Sequence, residues 1–286
     1  MSEEIYARML IGQLLKSDDV TIIERLKGGM SHLTYKIMSD GIYYVARIVG
    51  KNGNMFINRR DELEALKSLK NMNITNDTIY FNLETGHKIA TYIEGTVFTD
   101  LDYKTVINKI VDSLKLIHSS KLLSHDFIYL ERLSEIEKEL SLISTEYLSC
   151  KQKWTKLLKE KYENDEKVFC HNDAQRSNLV LSNDKVYILD FEFVGNNSIY
   201  YDLASFGNVD FEDALNLGKA YLGKLDDEDI KHIKFYRVFQ CLMWHLVATY
   251  KEEIGLSRIL ELDFNKLADN YLKFSAKLLS EICLEE

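Results

Sequence analysis

Proline is missing from this sequence: none of its 286 residues is proline. Turns must therefore depend on glycine, asparagine and aspartate, which adopt turn conformations readily. Cysteine is scarce and scattered, at Cys150, Cys170, Cys241 and Cys283. No pair has the Cys-x-x-Cys spacing of a zinc site, and nothing resembles a disulfide framework. We therefore expect free thiols in a reducing compartment.

Positive charge and long apolar runs are also in short supply. Lysine and arginine number 36 against 45 acidic residues, giving a formal net charge of −9, so a nucleic-acid partner is not expected. The apolar run at 238–248 is too short and too mixed to span a bilayer. The first residues, Met1-Ser2-Glu3-Glu4, are acidic and no apolar run follows, so no secretory signal is predicted. These features predict a cytoplasmic protein without membrane insertion.

The remaining composition is ordinary, with 46% hydrophobic and 28% charged residues, as in globular proteins. Up to residue 93 the pattern is mostly strand, with a helix near the start and a charged amphipathic helix at 57–69. After residue 94 helical periodicity dominates. We therefore predict an α+β fold with a nucleotide-binding lobe at 1–93 and a catalytic and substrate-binding lobe at 94–286. Further helices are predicted at 103–119, 130–142, 146–162, 211–222, 227–251 and 264–279.

The most informative stretch is 168–202, in which a short apolar hairpin is flanked by polar residues. Asp173 and Asn178 precede the hairpin and Asp190 follows it. The five-residue step from Asp173 to Asn178 is that of the kinase catalytic loop, and Asp190-Phe191-Glu192 is similar to the metal-binding Asp-Phe-Gly. Phosphoryl transfer from ATP to a hydroxyl requires one base and oxygen ligands for Mg²⁺. We predict Asp173 as the base and Asn178 and Asp190 as the metal ligands.

Residues upstream fit the phosphates of ATP. Gly28 and Gly29 form a turn whose backbone N–H groups can approach phosphate oxygens. Arg47 lies on a strand that resembles the kinase Val-Ala-Ile-Lys segment, and a guanidinium can clamp phosphates. Arg47 then needs a carboxylate partner on the following helix. Glu62 is preferred, because its spacing to Leu66 and Leu69 lets it point away from the core, and Glu64 is the competitor.

Three further residues receive supporting roles. Backbone groups at Tyr92 and Ile93, between the lobes, are predicted to bond the adenine edge. Asp202 is predicted to be a helix N-cap that anchors the catalytic loop by hydrogen bonding.

The helix that carries Trp244 and Tyr250 is rich in aromatic residues and methionine. Such a stretch usually belongs to a core, but a quaternary ammonium has no N–H group and needs aromatic faces and carboxylates. Trp244 and Tyr250 are six residues apart and cannot face one line on a straight helix. We therefore expect at most one of them to contact such a cation.

Several segments together resemble the choline/ethanolamine kinase family, in the aminoglycoside-phosphotransferase-like branch of the protein-kinase-like fold. They are His171-Asn172-Asp173-Ala174-Gln175 through Asn178, Ile188-Leu189-Asp190-Phe191-Glu192-Phe193, and Tyr201-Asp202-Leu203-Ala204. Arg47 also fits, because this family commonly carries arginine there. The Trp244 helix is similar to that of bacterial choline kinases, and the resemblance runs from about Leu26 to Glu253.

The resemblance has three departures. Phe193 replaces the usual tyrosine, and Val247 stands where a second aromatic residue is usual. Asp210 lies one step out of register with an acidic residue of the family.

The resemblance implies a bilobal kinase-like fold that binds ATP between its lobes and phosphorylates choline to phosphocholine. Glu192, Trp244 and Asp210 would then face the trimethylammonium group. Ethanolamine, thiamine or an aminoglycoside is the alternative acceptor, and a nucleotide-binding pseudokinase is a further alternative. A protein kinase is disfavoured, because the Ala-Pro-Glu segment is absent and the interval from Asp190 to Asp202 is too short for an activation loop. The sequence gives no oligomeric state.

Overall fold

The structure is a computed structural model that describes residues 3–26, 32–50, 52–260 and 262–284. Its backbone packs as two compact units, and each unit contains two separate parts of the chain. The first unit contains Met1–Ser113 and Arg176–Val194, and the second contains Leu114–Gln175 and Gly195–Glu286. The expected division of the chain at residue 94 stays a prediction.

The elements up to residue 118 are α1 (Glu3–Leu15), β1 (Val20–Leu26), β2 (His32–Ser39), β3 (Ile42–Val49), α2 (Arg59–Leu69), β4 (Thr78–Phe81), β5 (Lys88–Thr91), β6 (Thr96–Val97) and α3 (Ile107–His118). The later elements are α4 (Tyr129–Glu137), α5 (Thr145–Leu157), β7 (Val168–Cys170), β8 (Leu179–Ser182), β9 (Lys185–Ile188), β10 (Gly195–Asn197), α6 (Ile199–Phe206), α7 (Phe211–Leu222), α8 (Asp227–Glu253), α9 (Leu256–Leu260) and α10 (Phe264–Leu284).

The first unit is built on a five-stranded antiparallel sheet in the order β1-β2-β3-β5-β4. Its central hairpin turns at Asp40 and Gly41, which have φ angles of 50° and 74°. Two consecutive positive φ angles give the tight turn whose twist suits antiparallel strands. Alternate residues of the strands, such as Ile37 and Ala46, are buried against α1.

Helix α2 lies between β3 and β4 in the chain and carries the charged residues Arg59 and Glu62. Asn58 caps it by accepting a hydrogen bond from the Arg60 backbone N–H at 3.0 Å. Ala65, Leu66 and Leu69 form its buried face.

A second hairpin, β8–β9, pairs with β6 in a three-stranded sheet of the first unit. It turns at Asn183 and Asp184, which have φ angles of 47° and 65°. At its open end Leu179 pairs with Ile188. Beyond that pair, the Leu189 N–H donates to the Asn178 carbonyl at 2.8 Å. The ladder thus ends with Asn178 directly before β8 and Asp190 two residues after the end of β9.

The second unit is mainly helical, and its longest helix, α8, has 27 residues. Helix α8 packs along α10. The aromatic core of the second unit includes Trp154. The indole N–H of Trp154 donates to the Phe235 carbonyl at 3.0 Å, and the Trp154 ring stacks on that of Phe235. Strands β7 and β10 pair antiparallel beside it. Among the described residues no helix has both the length and the apolar content needed to cross a membrane.

The sheet-then-helix order confirms the expected α+β class. Helix α7 has the predicted bounds. The prediction for Asp202 was half wrong: Asp202 lies inside α6, and Ser198 precedes the helix as its N-cap residue. A buried carboxylate inside a helix serves partners from elsewhere, and those partners are the backbone N–H groups of His171 and Asn172 and the side chain of His118.

Candidate functional site

In the first unit Arg47 lies at the centre of a buried group of charged side chains. The Arg47 Nη2 lies 2.8 Å from Glu62 Oε2, so the partner preferred from the sequence is the one present. The same guanidinium donates to the Gly86 carbonyl at 3.1 and 3.3 Å. Gly86 has a φ of +73°, and a Cβ atom there would lie 2.7 Å from Arg59 Nε. Only glycine fits at this turn, and the turn helps fix the orientation of Arg47.

Glu62 is completely buried and meets three cations. Besides Arg47, the Arg59 Nη1 lies 2.6 Å and the Lys88 Nζ lies 3.2 Å from its carboxylate oxygens. Arg47 and Lys88 are directly opposite each other on β3 and β5, a placement that would be repulsive without an anion between them. Burial opposes the charge of Glu62, but Lys88, Arg47 and Arg59 outweigh it and lower the pKa of Glu62 below its ordinary value.

A second carboxylate, Glu192, joins the same group. Its Oε2 lies 2.9 Å from His32 Nε2, 3.2 Å from Arg59 Nη1 and 3.7 Å from Arg47 Nη1. Burial again opposes ionisation, but His32 and the two arginines lower the pKa of Glu192 to about 2. For Arg47, burial also disfavours the charge, yet the surrounding carboxylates raise its pKa above the ordinary value. The carboxylates of Glu62 and Glu192 and the guanidinium of Arg47 therefore stay ionised near neutral pH.

Asp190 lies at the open end of the β8–β9 hairpin and reaches the same arginine. Its Oδ1 is 3.0 Å from Arg47 Nη1, and its side chain is 39% exposed, far more than that of Glu62 or Glu192. Asp190 has a φ of 67°, an uncommon conformation for a residue other than glycine. Backbone strain of this kind concentrates at functional sites.

The residues at this hairpin end fit a magnesium ion chemically. The carboxylate of Asp190 and the side-chain amide oxygen of Asn178 are both hard oxygen donors, the type that Mg²⁺ prefers. The ladder hydrogen bond from Leu189 to the Asn178 carbonyl places the two residues at the same end of the hairpin. Only Oδ1 of Asp190 has a hydrogen-bond or ion-pair partner among the described residues. Oδ2 thus remains available to a cation.

The other predicted nucleotide contacts are Gly28, Gly29, Tyr92 and Ile93. Gly28 and Gly29 lie outside the described residues. Tyr92 follows β5, and its backbone N–H donates to the Tyr43 carbonyl at 3.1 Å. Tyr92 can therefore offer an adenine edge only its carbonyl, and Ile93 stays a prediction.

In the second unit Asp202 organises the loop that carries Asp173. Its Oδ2 accepts the His171 backbone N–H at 2.9 Å, and its Oδ1 accepts that of Asn172 at 2.7 Å. His118 Nε2 lies 3.0 Å from the same carboxylate, and His118 Nδ1 lies 2.8 Å from the Tyr221 hydroxyl. The expected hydrogen bonds from Asp202 to the loop that precedes Asp173 are therefore present.

Asp173 is held by its own loop. Its backbone N–H donates to His171 Nδ1 at 3.1 Å, so that nitrogen is unprotonated and the proton of neutral His171 sits on Nε2. Gln175 Nε2 donates to Asp173 Oδ2 at 3.0 Å. Asn172, between His171 and Asp173, has a φ of 63°. A partly exposed carboxylate in a tightly held loop has the features of a general base.

The predicted substrate residues occupy varied surroundings. Trp244 is partly exposed and Tyr250 is buried, and α8 runs unbroken past both. Six residues on a helix turn the side chain to a face about 120° away, in agreement with the expectation that both cannot serve one ligand. Asp210 is exposed and caps α7 by accepting the Glu212 N–H at 3.0 Å. Contact of Trp244, Tyr250, Asp210 or Glu192 with a substrate stays a prediction.

Arg59, Lys88, His32 and His118 complete these networks and were missed from the sequence. A local signal existed for Arg59, which precedes Glu62 by three positions on a helix, a spacing at which opposite charges meet. His118 pairs with a residue 84 positions away. No local pattern marks such a pair.

Comparison with known proteins agrees with the kinase chemistry predicted from the sequence. Residues 23–214 match the family model described as "Choline/ethanolamine kinase". Protein LicA of Haemophilus influenzae is 22% identical, over 89% of this chain and 79% of LicA. The crystal structure of choline kinase LicA from Streptococcus pneumoniae is 25% identical, covers 96% of this chain and 99% of that one, and gives a TM-score of 0.80. A structure of LicA in complex with AMP is 24% identical, covers 99% of this chain and 100% of that one, and gives a TM-score of 0.79.

Proposed function

Because the chain belongs to the choline/ethanolamine kinase family of phosphotransferases, we propose that it transfers the γ-phosphoryl group of ATP to the hydroxyl of choline. The likeness to the S. pneumoniae choline kinase, over 96% of the chain, is the observation that supports choline as the acceptor. The product would be phosphocholine.

The residues of the first unit would hold the nucleotide phosphates. Arg47 would donate to phosphate oxygens, as a guanidinium does in a bidentate manner, while Glu62 keeps it in place at 2.8 Å. Asn178 and Asp190 would hold Mg²⁺, which neutralises phosphate charge in reactions of this type. Gly28 and Gly29 would add backbone N–H groups, and Tyr92 and Ile93 would meet the adenine.

Asp173 in the second unit would orient the choline hydroxyl and accept its proton as the new P–O bond forms. Gln175 Nε2 donates to Asp173 Oδ2 at 3.0 Å and would help to orient the carboxylate for this work. Trp244 would supply an aromatic face for the trimethylammonium group, with Tyr250 as its alternative. Glu192 and Asp210 are kept as proposed anionic contacts, although each already has a structural partner.

The protein is also proposed to act in the cytoplasm. Cys150, Cys170 and Cys241 are buried and Cys283 is exposed, and all four are free thiols, which a reducing compartment preserves. ATP is abundant there as a substrate.

The deciding experiment is steady-state turnover with ATP and a panel of acceptors: choline, ethanolamine, thiamine and an aminoglycoside. We expect choline to give the highest kcat/KM. Turnover of ethanolamine without turnover of choline would move the proposal to the other named substrate of the family. Absence of turnover with every acceptor, together with intact ATP binding, would favour a pseudokinase.

The role of Asp173 is tested by Asp173→Asn, which keeps the shape of the side chain. We expect turnover to fall by orders of magnitude while ATP binding persists, because only the proton acceptor is lost. Asp184→Asn, at the exposed turn between β8 and β9, is the matched control and should keep wild-type turnover. Equal activity in both variants would contradict the assigned base.

A further inference from the structure

In the second unit the carboxylate of Asp173 is reached by two side-chain amides in series. Gln175 Nε2 donates to Asp173 Oδ2 at 3.0 Å, and Gln175 Oε1 accepts a hydrogen bond from Asn208 Nδ2. Asn208 lies 33 positions from Gln175, directly after the turn that ends α6. We infer that Asn208 is a positioning residue, which acts through Gln175 to hold the carboxylate of Asp173 in its working orientation. This inference rests on the proposed function of Asp173.

The direction of the two hydrogen bonds follows from the chemistry of the groups. An ionised carboxylate can only accept, so Gln175 must turn its NH₂ group towards Asp173. The oxygen of Gln175 then faces Asn208, and among the atoms of the Asn208 amide only its NH₂ group can satisfy that oxygen. Asn208 thus selects the one amide orientation of Gln175 that supports ionised Asp173.

This arrangement costs stability, because it leaves the Oδ1 atom of Asn208 unsatisfied among the described residues. Among the described residues, Asn208 Oδ1 is buried and has no hydrogen-bond partner. A buried acceptor left without a donor lowers stability. The Asn208 side chain is therefore placed so that its NH₂ group reaches Gln175, while its oxygen is left without a donor among the described residues.

The backbone around Asn208 is firmly held. Its carbonyl accepts from Arg237 Nη2 at 3.0 Å, and Arg237, on α8, is only 2% exposed. Arg237 Nη1 in turn donates to Gln240 Oε1 at 3.0 Å. At Gly207 a Cβ atom would lie 2.6 Å from the Cβ of Ala214, so a larger residue would push the turn away from α7. Because this turn is rigid, Asn208 offers its NH₂ group to Gln175 from a fixed position.

The test uses the isosteric variant Asn208→Asp. An aspartate at this position can only accept, so it would draw the NH₂ group of Gln175 away from Asp173. We expect kcat to fall about tenfold, as for a lost hydrogen bond to a charged group, while the KM for ATP stays unchanged. Asn208→Ala should lose less, about threefold. The matched control is Asn164→Asp, at an exposed turn of the second unit, which should behave as the wild type.

A double-mutant cycle separates positioning from general damage. If Asn208 acts through Gln175, then Asn208→Asp should cause no further loss of kcat in a Gln175→Leu background. Losses that multiply, or an Asn208→Asp variant as active as Asn164→Asp, would overturn the inference. Thermal unfolding of every variant identifies any that fails to fold.

A structural measurement keeps this inference distinct from the proposed function. Should the wild type phosphorylate no acceptor, the proposed function fails, whatever Asn208 does. Crystal structures then decide on Asn208: in Asn208→Asp the contact of Gln175 Nε2 with Asp173 should be lost. Retention of that contact would overturn the inference by itself.

Discussion

The two units stabilise a buried carboxylate by different means. In the first unit Glu62 is met by three full positive charges, on Arg47, Arg59 and Lys88. In the second unit the partners of Asp202 among the described residues are two backbone N–H groups and His118. Both carboxylates are completely buried.

The difference bears on what each network can do. Long charged side chains can keep their pairing while a guanidinium serves a phosphate, because Arg47 and Arg59 each have more than one carboxylate within reach. Backbone N–H groups, by contrast, fix the main chain of the loop itself and leave little freedom. The first arrangement suits a site that receives a charged nucleotide, and the second suits a base that must be held still.

The largest expected effect comes from Glu62→Gln. Removal of its charge leaves Arg47, Arg59 and Lys88 buried without their shared anion. Breaking a buried ion pair in this way costs about 3–5 kcal/mol. We expect a loss of about 4 kcal/mol in the free energy of unfolding in urea, and weaker ATP binding because Arg47 loses its brace.

Glu64→Gln is the matched control for that variant. Glu64 is on the same helix but is partly exposed, so we expect a change below about 1 kcal/mol. Equal losses in the two variants would show that the buried network of the first unit contributes no special stability.

Asp202→Asn should have the next largest effect. One carboxylate oxygen becomes an NH₂ group that faces a backbone N–H in either orientation, that of Asn172 or that of His171. A hydrogen bond to a charged group is worth about 1.5–3 kcal/mol. We expect a loss of about 2–3 kcal/mol in unfolding free energy and a fall in kcat as the Asp173 loop loosens.

Asp210→Asn is the control, since asparagine caps helices as well as aspartate does. Its stability should be unchanged. A raised KM for choline in this variant would instead support the proposed contact of Asp210 with the substrate. Were Asp202→Asn as stable and active as Asp210→Asn, anchoring by Asp202 would have to be abandoned.

Acid should weaken the charged network of the first unit. The pKa of Glu192 is lowered to about 2 from the ordinary 4.5, and that of Glu62 is lowered as well. The unfolded chain therefore binds more protons as pH falls below about 4.5, and stability is lost towards the folded pKa. Between pH 6 and pH 3 we expect Glu192 alone to account for about 2 kcal/mol.

Urea unfolding of the wild type and of Glu192→Gln at both pH values measures this contribution. The variant should lose about 2 kcal/mol less than the wild type on acidification, because it has no carboxyl group at that position to titrate. The same loss in both proteins would mean that Glu192 is not held by His32 and the arginines in solution.

Much of the site could be predicted because its signals are local. The step from Asp173 to Asn178, the hairpin, and Asp190 after it are consecutive in the chain. Glu62 is the partner preferred from the sequence, but the expectation that it points away from the core is wrong, because it is buried on the same face of α2 as Leu66 and Leu69.

What could not be predicted depends on contacts between distant residues. Arg59 meets Glu192 across 133 positions, and Asn208 meets Gln175 across 33. Asp202 was predicted as a cap because aspartate favours helix starts, whereas tertiary hydrogen bonds place it inside α6. Side-chain periodicity within one element carries no record of such pairings.

The smallest effect is expected in Tyr221→Phe, at the edge of the hydrogen-bond network around Asp202. The Tyr221 hydroxyl contacts His118 Nδ1 at 2.8 Å, and burial first, then the nearby Cys170 and Asp202, raise the pKa of Tyr221 to about 12. The hydroxyl is therefore neutral at physiological pH, and its loss removes one ordinary hydrogen bond, worth about 1 kcal/mol. We expect that loss in urea unfolding and less than a twofold change in kcat, with Tyr6→Phe on the exposed face of α1 as the control. A loss as large as that of Asp202→Asn would show that Tyr221 is a principal support of the loop. The contrast between Glu62, held by full positive charges, and Asp202, held by backbone N–H groups and His118, would then need revision.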